Sequence, residues 1–203
     1  MQRINIFGAK GGVGCTTLSV ILGYEISKSG ESVYLNGGTY HTANVEMNRD
    51  LQAVAGIPAM VQDAKISDGA TVSYSLEIPD DAWRIIDRGT NYAEIDADLN
   101  LFVVRNDYLS LSRMLRLLRQ EDPIQRAFPP NTEFVLVSEP SRSLDEKDCR
   151  NVLERNFLFH FPADNYYAIA RSGDAGLLTL RSPTLGSRFA AAVLERLSVS
   201  NSQ

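Results

Sequence analysis

The sequence predicts a doubly wound α/β fold, a mainly parallel sheet flanked by helices. Three observations predict it. Short apolar runs alternate with segments of helical periodicity, polar or glycine-bearing turns separate them, and 203 residues suffice to bury a full sheet between helical layers. No repeat, low-complexity tract or linker breaks the alternation, so one domain over residues 1–203 is expected. In such a fold ligands collect at the carboxyl ends of the strands.

Residues 4–7 form the first apolar run, and a glycine-rich turn, 8–17, leads from it into a helix with Leu18, Ile21, Leu22 and Ile26 on one face. Ser29-Gly30 stops that periodicity, and 32–35 reads as a second strand. The pattern is weakest over 40–82: 48–54 and 58–64 read as short helices, with Pro58 at a first helical position, 67–69 as a turn and 71–78 as an extended segment. Residues 83–87 are an apolar strand ending in Asp87. A buried strand within 96–104 follows, then a polar turn over 106–112 opening a helix. Leu111, Leu115 and Leu118 supply its inward face, while Arg113, Arg116 and Arg119 lie along another. After a proline-marked connection, 133–137 is again a buried strand. Ser143 is placed to cap a helix running to about Arg155. Residues 157–161 form the last strand, with His160 at a core or edge position, and Ser182-Pro183 starts a final helix that turns Phe189, Val193, Leu194 and Leu197 inward.

A net charge of −5 argues against a protein that is basic all over, so any contact with nucleic acid has to use a local patch. The first apolar run is short and leads straight into glycines, and no run approaches a membrane span, which together predict a cytoplasmic protein. Two cysteines, Cys15 and Cys149, lie too far apart for metal-ligand spacing.

The glycine-rich turn carries the chemistry. Glycines admit the backbone to close approach and to φ > 0, successive N–H groups can then converge on an anion, and the following helix adds the positive end of its dipole. The common phosphate-loop pattern is G-x-x-x-x-G-K-[ST]. Here the first glycine is Ala9 and the lysine is Cys15, while a lysine stands early, at Lys10. A thiol at a helix N-terminus beside an ammonium has the setting that depresses a pKa, so Cys15 is a candidate reactive cysteine; the alternative is a small residue filling the lysine's place.

The run Lys10-Gly11-Gly12-Val13-Gly14-x-Thr16-Thr17 resembles the deviant Walker A loop of the ParA/MinD family of P-loop ATPases, which partition DNA and position cellular structures. The strand ending in Asp87, the passage 96–112 and the closing segment 157–178 are similar to later parts of that family. The resemblance implies ATP or ADP as ligand, held by Lys10, Gly11, Gly12, Val13, Gly14, Cys15, Thr16 and Thr17, with Pro162 and Asp164 near the base. It implies Mg2+ on Thr16 and Asp87, and catalytic roles for Lys10, which reaches across a nucleotide-dependent homodimer, and for Asp87. It further implies nonspecific DNA contact, for which Arg113, Arg116 and Arg119 are candidates, and a ParB-like or other adaptor partner. No membrane is expected, since the tail after Leu197 is short and polar.

The chain also departs from the family. Cys15 replaces an ammonium, Gly37 and Thr39 stand where two switch carboxylates are usual, and Ser138 stands where an asparagine near the base is common. The expected function is a ParA-like switch with weak or absent hydrolysis, the alternative a pseudo-ATPase scaffold that positions a partner complex.

Overall fold

A computed structural model describes residues 2–29, 31, 33–36, 60–61, 83–92, 95–121, 128–139, 144–162 and 183–200. Seven strands, β1 (Arg3–Gly8), β2 (Val33–Asn36), β3 (Met60–Val61), β4 (Trp83–Gly89), β5 (Leu99–Arg105), β6 (Thr132–Val137) and β7 (Phe159–Phe161), make one sheet in the order β3-β2-β4-β1-β5-β6-β7. Every pairing is parallel. The helices among the described residues are α1 (Cys15–Ser27), α2 (Tyr108–Leu118), α3 (Glu146–Leu153) and α4 (Pro183–Ser200). The doubly wound parallel sheet is thus the one the sequence predicts.

Strand alternation divides the core. In β5, Leu99, Leu101 and Val103 face α1 and α4, where Ile4, Ile6, Leu18, Ile21, Leu22, Phe189 and Val193 are buried. Phe102 and Val104 face the other way, with Phe7, Leu111, Met114, Leu117, Cys149 and Leu153. Each fully buried large side chain contributes roughly 1.5–3 kcal/mol, and both faces of the central strands are covered, as a parallel sheet requires. Within this apolar layer lies a polar pair. Asn5 and Asn100 are register partners on β1 and β5, both 0% exposed, and the Asn5 amide donates to Asn100 Oδ1 at 3.3 Å. Asn100 in turn donates to the Ile95 carbonyl at 3.0 Å, which leaves its buried amide bonded rather than orphaned.

Four expectations need correction. Residues 60–61 lie in β3, paired to β2, and not in a helix over 58–64; edge pairing with a partner strand outweighs a proline start signal. In α2 the buried set is Ser110, Leu111, Met114 and Leu117, whereas Leu115 and Leu118 are half-buried toward α3, because the helix faces both the sheet and its neighbour. The α3 cap is Asp145. Its carboxylate accepts from the Asp148 N–H at 2.8 Å while Asp148 accepts from the Asp145 N–H, a reciprocal box that fixes the start after Ser143, which itself lies outside the described residues. Leu194 is 38% exposed, on the outer flank of α4. The proposed elements at 48–54, 67–69 and 71–78 lie outside the described residues.

Candidate phosphate-binding site

Strand β1 is central, and the chain leaves it at the carboxyl edge, with β4 on one side and β5 on the other. The turn from Ala9 to Gly14 then leads into the first turn of α1. Gly12 and Gly14 adopt φ of 76° and 111°, values that a side chain would strain. A Cβ on Gly8 would lie 2.7 Å from both Cys15 Sγ and Val13 Cγ2, so that position admits only glycine while the loop folds back over it. A Cβ on Gly11 or Gly12, by contrast, would meet nothing within 4 Å. Their backbone is bare toward a pocket of ≈ 240 Å³ lined by 10–17 together with Asp87, Gly89 and Thr90. The first helical N–H groups of α1, which have no intrahelical acceptor, lie along the same wall.

In the lining of that pocket Thr16 Oγ1 donates to Asp87 Oδ2 at 2.5 Å, and the Gly89 N–H donates to Asp87 Oδ1 at 3.0 Å. Asp87 stands opposite Ile6 in regular register, and the shift that follows it, between Ile6 and Phe7, skips Arg88 and sets Gly89 opposite Phe7. The residue is 1% exposed, and burial pushes its carboxyl above the usual range against the opposing pull of the two hydrogen bonds. A buried carboxylate beside a hydroxyl is an oxygen donor set that suits a hard divalent cation sharing its shell with phosphate and water. Among the described residues no group of three or more His, Cys, Asp or Glu gathers into a metal site.

Lys10 is engaged from within its own chain. Its Nζ lies 3.6 Å from Asp107 Oδ2, while Asp107 Oδ1 caps α2 by accepting from the Ser110 N–H at 2.9 Å. Ser110, 0% exposed, also accepts from the Arg105 N–H at 2.9 Å, which accounts for a serine in that polar turn. Beside Asp107, Tyr108 and Leu109 are 79% and 67% exposed.

Cys15 is not the activated thiol its helix position suggests. Its side chain turns under the loop into the core, and burial, reinforced by the Asp87 charge, pushes its pKa well above the ordinary value. The alternative holds: it is a small apolar filler. Arg116 and Arg119 are exposed and lie 4.0 and 3.9 Å from Glu121 carboxylate oxygens; Arg113 is half-buried. Pro162 follows β7, half-buried, whereas Asp164, Gly37 and Thr39 lie outside the described residues.

Two features were missed in the sequence. Ser138 Oγ and His160 Nε2 are 2.8 Å apart, and His160 Nδ1 lies 2.9 Å from Glu146 Oε2, so the histidine at the edge is bonded on both nitrogens. This is no acyl-transfer triad, because the neighbouring N–H groups of Ser138 and Glu139 are committed to Phe161 O and Asn106 Oδ1. Tyr92, three residues past Gly89, donates its hydroxyl to the Gly8 carbonyl at 2.6 Å, and its ring stacks on Phe102 at 6.0 Å. No periodicity marks either arrangement, since both depend on contacts between distant strands.

No family model matches the chain, and no curated protein matches it in sequence. Solved structures do. A ParA family ATPase from Chlorobium tepidum superposes with a TM-score of 0.58 at 17% identity, over 95% of this chain and 97% of that one. This chain has the fold of the ParA and MinD ATPases. The septum site-determining protein MinD of Pyrococcus horikoshii, complexed with Mg-ADP, gives 0.56 at 16% identity, with 97% and 94% covered. A variant of Cyanothece McdA in complex with ATP gives 0.57 at 17% identity, with 98% and 96% covered.

Proposed function

We propose that this protein is a ParA-like nucleotide-binding switch that serves segregation of plasmid, phage or chromosomal DNA, with weak or absent ATP hydrolysis. The observation that carries the reading is the bare glycine loop running into Thr16, whose hydroxyl meets the buried Asp87 carboxylate in the lining of the same pocket. The main-chain donors fit the phosphates of ATP or ADP, and Thr16 with Asp87 fits Mg2+. Bound magnesium would supply the positive charge that position 15 no longer provides. The Mg-ADP and ATP held by the MinD and McdA structures support this class of ligand.

Hydrolysis is the weaker part of the design. Phosphoryl transfer depends on positioning and on charge placed around the transferring group. Here Cys15 points into the core, and Gly37 and Thr39 offer no carboxylate, so turnover falls by orders of magnitude while binding survives on backbone contacts. In one protomer Lys10 rests on Asp107; in a closed homodimer it would exchange that carboxylate for the partner's phosphates. The exposed Tyr108 and Leu109 would then be covered by the second copy.

Titration with a fluorescent ATP analogue and Mg2+, followed by light scattering, tests the switch. Binding in the micromolar to millimolar range with a shift to dimer is expected, and Lys10→Ala should bind but stay monomeric; no binding at millimolar nucleotide removes the reading. Salt-dependent retention on DNA, weakened in Arg116→Ala/Arg119→Ala, is expected of the partition role, with the slope of log K against log salt reduced by about 4 in the closed dimer, two arginines being lost from each copy. The second reading, a pseudo-ATPase scaffold, is favoured by the inward turn of Cys15. It requires a dimer or an adaptor complex that forms equally well without nucleotide.

A further inference from the structure

The peptide unit joining Gly8 to Ala9, where the loop leaves β1, is gripped at both ends. Its N–H, on Ala9, donates to the Val103 carbonyl of β5 at 3.0 Å, and its C=O, on Gly8, accepts from the Tyr92 hydroxyl at 2.6 Å. A trans peptide is planar with these two groups opposed, so fixing both fixes the plane. The next carbonyl, on Ala9, lies 3.4 Å from the same hydroxyl. Tyr92 is itself held. Its ring stacks on Phe102 and tilts against Phe7, both at 6.0 Å between centroids, and Phe7 and Phe102 are stacked at 4.8 Å. The residue follows the turn closed by the Asn91 N–H on the Arg88 carbonyl at 2.9 Å, directly after Asp87 and Gly89.

We propose that Tyr92 is a positioning residue for the phosphate cradle. Its hydroxyl holds the first carbonyls of the loop away from the anion path, so that the donors after them face the pocket, and it links the Asp87 turn to the start of the loop. The proposal rests on the nucleotide-binding reading above. In a loop without the usual ammonium, the orientation of main-chain dipoles governs anion affinity, and a carbonyl turned toward the phosphates opposes it directly.

Tyr92→Phe removes the hydroxyl and keeps the ring on Phe102. The two buried cysteines provide a readout that needs no nucleotide. Cys15 packs against Gly8 beneath the loop, while Cys149 lies in the core on the other face of the sheet. Alkylation with iodoacetamide, followed peptide by peptide in a mass spectrometer, should show Cys15 labelling about fivefold faster in Tyr92→Phe, with Cys149 unchanged, the factor expected for one hydrogen bond of ordinary net strength. Affinity for the fluorescent ATP analogue with Mg2+ should fall by a similar factor. Unchanged labelling, or parallel acceleration of both cysteines, overturns the proposal, the second because it reports global loosening. Selective labelling of Cys15 with undiminished nucleotide affinity also overturns it. If the wild-type protein binds no nucleotide, the functional reading fails separately, and selective labelling still decides whether Tyr92 holds the loop.

Discussion

The two walls of the pocket have met different fates. On one side Thr16 and Asp87 keep a hydroxyl and a carboxylate in contact, the carboxylate buried and the threonine partly open to the pocket. On the other side the position that normally brings an ammonium to the phosphates has become Cys15, folded under the loop, and the remaining lysine, Lys10, leans on Asp107. On the proposed reading the first is the metal wall, and the second, the phosphate wall, relies on backbone dipoles with Lys10 turned to Asp107. The difference teaches that, on the proposed reading, charge for a polyanion would come from outside the protomer, through a bound cation or through a second copy.

The largest effect should come from removing the dipoles themselves. Gly12→Val places a β-branched side chain at φ 76° and fills the open space above the loop, and nucleotide affinity should fall by roughly a hundredfold or more in calorimetry. If affinity survives, the phosphate wall contributes nothing and the metal wall alone holds the ligand.

Next comes restoring the lost charge. Cys15→Lys should strengthen binding by about tenfold, the scale of a charge-assisted hydrogen bond, and raise ATP turnover above background. Its stem has to leave the pocket between Gly8 and Val13, so a loss of ~1–3 kcal/mol in stability accompanies the gain. Unchanged affinity would mean that the loop cannot present an ammonium to the ligand.

The smallest effect tests the metal wall. Burial raises the Asp87 carboxyl above its ordinary value of 3.8. Between that value, which the unfolded chain keeps, and the raised folded value, the native protein binds the extra proton; this group's contribution to stability therefore falls as pH rises through the window. Asp87→Asn keeps the shape, removes that slope and should raise Tm at neutral pH, while stabilisation by Mg2+ disappears. A lower Tm, or an undiminished response to Mg2+, would show that Asp87 is not the buried ion-binding carboxylate.

Much of this architecture was legible because its signals are local. The apolar face of α1, the loop glycines and Asp87 near the end of β4 are each written within one short stretch, although β4 runs on to Gly89, two residues past the end expected for it. What escaped depends on which strands become neighbours. The burial of Cys15 follows from Gly8 and Val13 closing around it, and no property of residue 15 in sequence distinguishes that from exposure beside Lys10. Asp107 reads only as part of the polar turn that opens a helix, and the adjacency of β1 and β5 turns it into the partner of Lys10. Tyr92 and the Ser138–His160–Glu146 chain are products of strand order in the same way. The inward residues of α2 were displaced because that helix serves two neighbours, which a single-stripe pattern cannot express.

The paired amides of Asn5 and Asn100 act as a vernier between β1 and β5. Sliding either strand by one residue would strand two amide side chains in hydrocarbon, at about 1–3 kcal/mol for each unsatisfied group, whereas the leucines and valines around them would tolerate the slip far better. Three residues further along, the same alignment sets Gly8 opposite Val103. A polar rung in the middle of the sheet thereby meters where the chain may leave β1, and an Asn100→Leu protein could gain hydrophobic contact yet lose the single alignment on which the loop's geometry depends.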